Sequence, residues 1–134
     1  MKTIRVLLVD DNPAFSRAAK AFLNSQPRLE VVGCATSAVQ AMDLVAELKP
    51  DLVLMDVVMP GMNGLEATRQ IKRDAAAPKI IVVTLHQAAA YRLSATAAGA
   101  DGFVAKDNLV TDLPPLINSL FAGREQMPDS ANDS

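Results

Sequence analysis

Short runs of apolar residues recur along the chain, separated by stretches with helical periodicity. Five runs have the length and composition of β-strands: Ile4–Val9, Leu29–Cys34, Asp51–Asp56, Lys79–Thr84 and Gly102–Ala105. Three of these runs are continuously apolar rather than alternating, which is typical of strands that are covered on both faces, as in a parallel sheet. The pattern therefore predicts a buried parallel sheet.

The segments between the runs predict helices. After the first run, Asn12 can cap a helix and Pro13 suits its first position. The apolar residues that follow share one helical face: Phe15, Ala18, Ala19, Phe22 and Leu23. Gly99 is placed to end the fourth helix. Pro114 and Pro115 predict that the fifth helix begins close to them, because proline is tolerated only in a first turn.

The predicted order is a strand followed by a helix, five times over. Parallel strands need right-handed crossovers, which place helices on both faces of a twisted sheet. We therefore predict an α/β fold, a (βα)5 doubly wound five-stranded parallel sheet. Residues 1–123 would form this domain, and the polar residues 124–134 a tail or the start of a linker.

Composition narrows the class of protein. Half of the 134 residues are hydrophobic and the net charge is -2, a balance typical of one globular domain. The small net charge and the few aromatic residues argue against direct nucleic-acid binding. The apolar runs are too short for a membrane span or a signal peptide, so we expect a cytoplasmic protein. The single Cys34 lies in an apolar run and is expected to be buried.

Polar side chains follow four of the five predicted strands at their carboxyl ends. Asp10 and Asp11 follow the first, Asp56 ends the third, Thr84 ends the fourth and Lys106 follows the fifth. Ligands bind outside the carboxyl ends of strands in open α/β sheets, so we expect these side chains to converge. Three close carboxylates need a compensating cation, and Mg²⁺ prefers such oxygen ligands together with phosphate. Each residue alone would more often be a cap, a turn residue or a solvated charge, but together they predict phosphoryl transfer with Asp as acceptor.

Four segments carry a resemblance to a known family: VLLVDDNP, DLVLMDVVMPGMNGLE, IIVVT and GADGFVAKD. In this order they resemble the receiver domain of two-component response regulators, the CheY-like fold, and most closely its NarL/FixJ type. The resemblance implies the flavodoxin-like strand order 2-1-3-4-5. It also implies that Asp56 accepts a phosphoryl group from a sensor histidine kinase. Asp10, Asp11, Asp56 and the backbone carbonyl of Val58 would hold Mg²⁺.

The same resemblance implies a switch. Thr84 would engage the phosphoryl group, Lys106 would pair with a phosphoryl oxygen, and Phe103 occupies the position of the family's rotating aromatic residue. The face formed by the fourth helix, fifth strand and fifth helix would bind an output domain, a partner protein or a second copy; the first and fifth helices offer another surface for self-association. Val58 and His86 occupy positions that tune dephosphorylation, and the apolar Val58 predicts slow loss of the phosphoryl group. Asp107 stands where many receivers have a proline.

Two other classes remain as alternatives. A phosphatase of the haloacid-dehalogenase kind needs a second Asp two residues after the nucleophile, and Val58 stands there. A flavodoxin-like cofactor binder needs a hydroxyl- or Gly-rich phosphate loop, whereas residues 10–13 are anionic. We therefore expect a switch rather than a turnover enzyme. Receivers of the NarL type normally continue into a DNA-binding domain, so the sequence is either a single-domain regulator or a fragment that ends in the linker.

Overall fold

The computed structural model describes residues 3–57, 64–84 and 89–122 of the chain, without the side chains of residues 89–91. Strands and helices alternate throughout. The strands are β1 (Ile4–Val9), β2 (Leu29–Ala35), β3 (Leu52–Asp56), β4 (Lys79–Thr84) and β5 (Gly102–Ala105). The helices are α1 (Pro13–Asn24), α2 (Ala38–Leu48), α3 (Gly64–Ile71), α4 (Ala89–Ala97) and α5 (Leu109–Leu120), with a short 3₁₀ helix at Lys106–Asn108.

The five strands form one parallel sheet in the order β2-β1-β3-β4-β5, which confirms the predicted fold and strand order. Alternate side chains of β1 point to opposite faces, as the pleat requires. Val6 and Leu8 pack in a core beneath α1 and α5. Leu7 and Val9 pack in a second core beneath α2 and α3. The continuous apolar runs of the sequence therefore reflect burial on both faces.

The start of the fifth helix was predicted wrongly. α5 begins at Leu109, so Pro114 and Pro115 lie inside the helix rather than in its first turn. Leu109 and Leu113 are one turn apart and both are buried in the core beneath α1 and α5. Burial of these two leucines favours the earlier start and offsets the two backbone N–H groups that the prolines lack.

Cys34 is exposed, so the prediction that it is buried was also wrong. The reason is the position of its strand. β2 lies at the edge of the sheet, and most of its residues are only partly covered. An apolar run on an edge strand does not reach the burial of β1, β3 and β4.

Charged side chains connect neighbouring elements at the edge of the sheet where the strands begin, which is the edge away from the predicted site. Nη1 of Arg5 donates to the carbonyl oxygens of Leu48 (2.8 Å) and Lys49 (3.0 Å), at the end of α2. The backbone N–H of Arg5 donates to Oδ2 of Asp51 at 2.9 Å. Arg5 therefore satisfies carbonyl groups that a helix end leaves without partners.

Of the helices in the described ranges, none is long and apolar enough to cross a membrane.

Candidate functional site

Asp10 is positioned by the turn from β1 into α1. Its side chain is buried, with 3% of the residue exposed. Its backbone N–H donates to the Ala35 carbonyl at 2.9 Å, which extends the β1–β2 pairing by one residue. The backbone N–H of Asn12 donates to Asp10 Oδ1 at 2.8 Å, and the Asn12 side chain in turn caps α1, as predicted. These bonds hold one oxygen of Asp10 and leave Oδ2 directed into the site.

Asp56 is positioned by the end of β3 and by the start of α3. It is 4% exposed. Gly64 packs against its backbone so closely that a Cβ atom at position 64 would lie 2.2 Å from the Asp56 carbonyl oxygen. No side chain fits in that space, so glycine is required there for a steric reason. Gly64 thus lets α3 approach the strand end that carries Asp56.

Lys106 connects the two buried acids. It follows β5 directly, and its side chain is only 10% exposed. Its Nζ atom lies 2.5 Å from Asp10 Oδ2 and 3.4 Å from Asp56 Oδ2. The ammonium also lies over the ring of Phe15, 4.4 Å from its centroid. A single lysine therefore contacts both buried acids.

Asp10, Asp11 and Asp56 form an acidic cluster, in which one carboxylate oxygen from each residue lies within 4.8 Å of the others. Asp11 is exposed, whereas Asp10 and Asp56 are buried. Three carboxylates against one lysine leave an excess of negative charge. An all-oxygen donor set of this size suits a hard divalent cation such as Mg²⁺. The cluster could therefore hold a metal ion.

Thr84 and Phe103 lie on the neighbouring strands β4 and β5. Thr84 is completely buried and pairs in the sheet with Ala105, the residue before Lys106. Phe103 is half-buried against a small core that includes Val57 and Val82. The guanidinium of Arg92, on α4, lies over the Phe103 ring at 4.9 Å from the centroid. The two predicted switch positions thus lie on paired strands, and Thr84 is the one paired with the residue before Lys106.

The chain matches the response regulator receiver domain family over residues 6–118. It belongs to that family. A solved two-component response regulator of the LuxR family from Aurantimonas sp. SI85-9A1 superposes with a TM-score of 0.85 at 38% identity, covering 91% of this chain and 87% of that one. The predicted family is confirmed, and with it the assignment to two-component systems. Receivers of this family are in general signalling switches.

Curated relatives agree with this assignment. The nitrate/nitrite response regulator protein NarL of Escherichia coli K12 is 34% identical over 88% of this chain and 55% of its own length. A protein-glutamate methylesterase/protein-glutamine glutaminase of Geobacillus kaustophilus is 44% identical over 95% of this chain and 35% of its own length. The receiver thus spans between about a third and just over half of the length of the curated relatives it matches.

The structure brings together Asp10, Asp11, Asp56 and Lys106, as predicted from the strand ends. Val58 and His86 lie outside the described residues, so their roles in the receiver stay predictions. Phe15 and Gly64 were not predicted as parts of the site. The Phe15 contact with Lys106 joins elements far apart in sequence. Gly64 begins the helix that follows β3, and a glycine at that place was the signal that could have pointed to a close approach to Asp56.

Proposed function

We propose that this receiver accepts a phosphoryl group on Asp56 from a sensor histidine kinase in a reaction that requires Mg²⁺. The observation that supports this most strongly is the position of Lys106, whose ammonium contacts both Asp10 and Asp56 beside a third carboxylate. Phosphoryl transfer needs positioned positive charge more than it needs acid–base groups. The site supplies a lysine, an all-oxygen metal cluster and a buried carboxylate.

In the transfer, a carboxylate oxygen of Asp56 attacks the phosphorus atom of the kinase phosphohistidine. A P–O bond forms and the P–N bond breaks, so the imidazole of the kinase leaves with the electron pair of that bond. Asp10, Asp11, Asp56 and the carbonyl of Val58 would hold Mg²⁺, which when bound neutralises charge on the phosphoryl oxygens. Lys106 then pairs with one phosphoryl oxygen, and the Thr84 hydroxyl donates to another.

The new charge on Asp56 would change the binding of a partner. Thr84 moves toward the phosphoryl group and Phe103 follows into the space beside β4, so that a local electrostatic change biases a two-state surface. Of the elements that form the α4–β5–α5 face, α4 carries the exposed Leu93 (71% exposed) and α5 the exposed Val110 (62% exposed). This face would bind an output domain, another protein or a second copy of the receiver.

The same proposal includes the bounds of the domain, its compartment and its kind of activity. Residues 1–123 form the receiver unit, and residues 124–134 are its tail or the start of a linker. The receiver acts in the cytoplasm, where its kinase phosphorylates it, and it works as a switch that is phosphorylated and dephosphorylated rather than as a turnover enzyme. DNA binding, where it occurs, would come from an output domain.

Intact mass spectrometry after incubation with acetyl phosphate and Mg²⁺ tests the acceptor. We expect one added phosphoryl group in the wild type and none in Asp56→Asn. Asp107→Asn is the matched control, because Asp107 is an exposed acid next to Lys106 and should leave labelling unchanged. Full labelling of Asp56→Asn would move the acceptor to another residue, and labelling that persists in the presence of a chelator would remove the metal from the mechanism.

A further inference from the structure

The ammonium of Lys106 pairs with a carboxylate oxygen that the acidic cluster would offer to a metal. Both oxygens of Asp10 are engaged: Oδ1 accepts from the backbone N–H of Asn12 at 2.8 Å, and Oδ2 lies 2.5 Å from Lys106 Nζ. Asp10 is also a member of the acidic cluster. A divalent cation that takes Asp10 Oδ2 must therefore compete with the ammonium for it.

Phe15 holds the ammonium in this position. The ring centroid lies 4.4 Å from Lys106 Nζ, within the roughly 6 Å over which a ring face attracts a cation. The ring is itself fixed, because the Phe15 backbone N–H donates to the Asn12 cap at 3.2 Å and its side chain packs on the core beneath α1.

The Phe15 ring attracts the ammonium toward Asp10 rather than toward Asp56, because of where these residues lie in the fold. Phe15 and Asp10 both flank the turn between β1 and α1, whereas Asp56 belongs to β3. The ring and Asp10 therefore both hold the ammonium at the turn between β1 and α1. This agrees with the distances, since Lys106 Nζ lies closer to Asp10 (2.5 Å) than to Asp56 (3.4 Å).

We propose that Phe15 is a positioning residue that retains Lys106 on Asp10 and thereby weakens Mg²⁺ binding before phosphorylation. The inference rests on the proposed function in taking Mg²⁺ as the metal. With a metal held by Asp10, the ammonium of Lys106 would be free of Asp10 and available to a phosphoryl group on Asp56. Phe15 thus sets how readily Lys106 exchanges one partner for the other.

The test is a Mg²⁺ titration of the receiver followed by amide NMR, at constant ionic strength and without a phosphoryl donor. Phe15→Leu should bind Mg²⁺ about two- to thirtyfold more tightly, the range of factors that corresponds to loss of a cation–π contact between an exposed and a desolvated site. Phe15→Tyr keeps a ring face and should keep the wild-type affinity. Phe22→Leu is the matched control: it makes the same change in α1, seven residues and about 10 Å further along the helix, and should leave the affinity unchanged.

A double-mutant cycle with Lys106→Met decides whether Phe15 acts through the lysine. Lys106→Met should tighten Mg²⁺ binding by itself, and Phe15→Leu should then add nothing. Unchanged or weaker binding in Phe15→Leu, or equal tightening with and without Lys106, would overturn the proposal. If Lys106→Met does not fold, the difference between Phe15→Leu and Phe15→Tyr still decides. These titrations involve no phosphoryl transfer, so a failure of Asp56 labelling would leave their result standing.

Discussion

Charged side chains occupy both edges of the sheet, but they are arranged differently at the two edges. At the edge where the strands begin, the charged side chains bind parts of the fold: Arg5 donates to carbonyls at the end of α2, Asp51 accepts from the Arg5 backbone N–H, and Lys72 pairs with Asp101 at 3.0 Å. At the edge where the strands end, three carboxylates lie close together, and one lysine contacts two of them, Asp10 and Asp56. The difference indicates that the first set stabilises the fold, whereas the second set keeps negative charge in excess for a ligand.

The ion pair of Lys72 with Asp101, at the edge where the strands begin, is part of a hydrogen-bond network. The backbone N–H of Ile80 donates to Asp101 Oδ2 at 2.8 Å, and Lys72 Nζ donates both to Asp101 and to the Pro78 carbonyl at 3.1 Å. Gly99, with a φ of 100°, provides the left-handed turn that brings Asp101 to this place. The network ties α3, β4 and the start of β5 together.

The largest effect is expected from breaking this network with Asp101→Ala. The change leaves the N–H of Ile80 without its acceptor, and the ammonium of Lys72 keeps the Pro78 carbonyl but loses its charged partner. We expect a loss of about 2–3 kcal/mol in the free energy of unfolding, measured with urea, because hydrogen bonds to charged groups are among the stronger ones. Asp107→Ala removes an exposed acid and is the control, with an expected change within about 0.5 kcal/mol. Equal losses in the two variants would mean that the network does not stabilise the fold.

Arg5→Lys should have the next largest effect. A lysine side chain is one atom shorter, so its ammonium does not reach the position from which Arg5 Nη1 donates to both carbonyls, and the end of α2 loses part of its cap. We expect a loss of about 1 kcal/mol by the same measurement. Arg17→Lys, on the exposed side of α1, is the control and should change little. A stability equal to that of the wild type would show that water replaces Arg5 at the helix end.

Asp11→Asn should raise the free energy of unfolding, whereas the two substitutions at the other edge lower it. This is the sharpest contrast between the two edges. Removing one of three neighbouring carboxylates relieves the repulsion between them. In the absence of divalent cations, the free energy of unfolding should therefore rise by about 1 kcal/mol. The expected gain shrinks as salt is added, because Asp11 is exposed and screening acts on it. A loss of stability without metal would show that the acidic cluster already contributes to the fold.

The smallest effect is expected at Glu66, on the surface of α3. The side-chain hydrogen bond from Gln70 holds the pKa of Glu66 below its usual value, with a further contribution from the charge of Arg69. A lowered pKa means that the stabilisation exists at neutral pH and is lost as the pH falls through the acid range. Glu66→Gln should remove only this slight pH dependence of the unfolding midpoint. A large change would contradict the treatment of Glu66 as a solvated surface group.

Much of the fold could be predicted because it depends on burial. Three of the five strands, β1, β4 and β5, have the predicted bounds, and the other two differ by one residue at one end. The errors arose where a local rule met tertiary packing. The prolines of α5 are tolerated because Leu109 and Leu113 are buried, and Cys34 is exposed because β2 is an edge strand.

The candidate site divides in the same way. Asp10, Asp56 and Lys106 could be predicted because the carboxyl ends of parallel strands meet at one edge of a sheet. Phe15 and Gly64 could not, because their importance depends on a few ångströms between different elements. A Cβ atom at position 64 would clash with the Asp56 carbonyl, and the Phe15 ring lies beneath the Lys106 ammonium. Neither contact leaves a periodic pattern in the sequence.

The most direct test of the contrast between the two edges is the change in unfolding free energy on adding Mg²⁺ at matched ionic strength. A ligand that binds only the folded state raises that free energy by RT ln(1 + [L]/Kd), so a weaker site gives a smaller increase at the same Mg²⁺ concentration. We predict that Mg²⁺ stabilises the wild type and Arg5→Lys by the same amount, and Asp11→Asn by much less. Equal stabilisation of all three, or none in the wild type, would contradict the assignment of the acidic edge to metal binding.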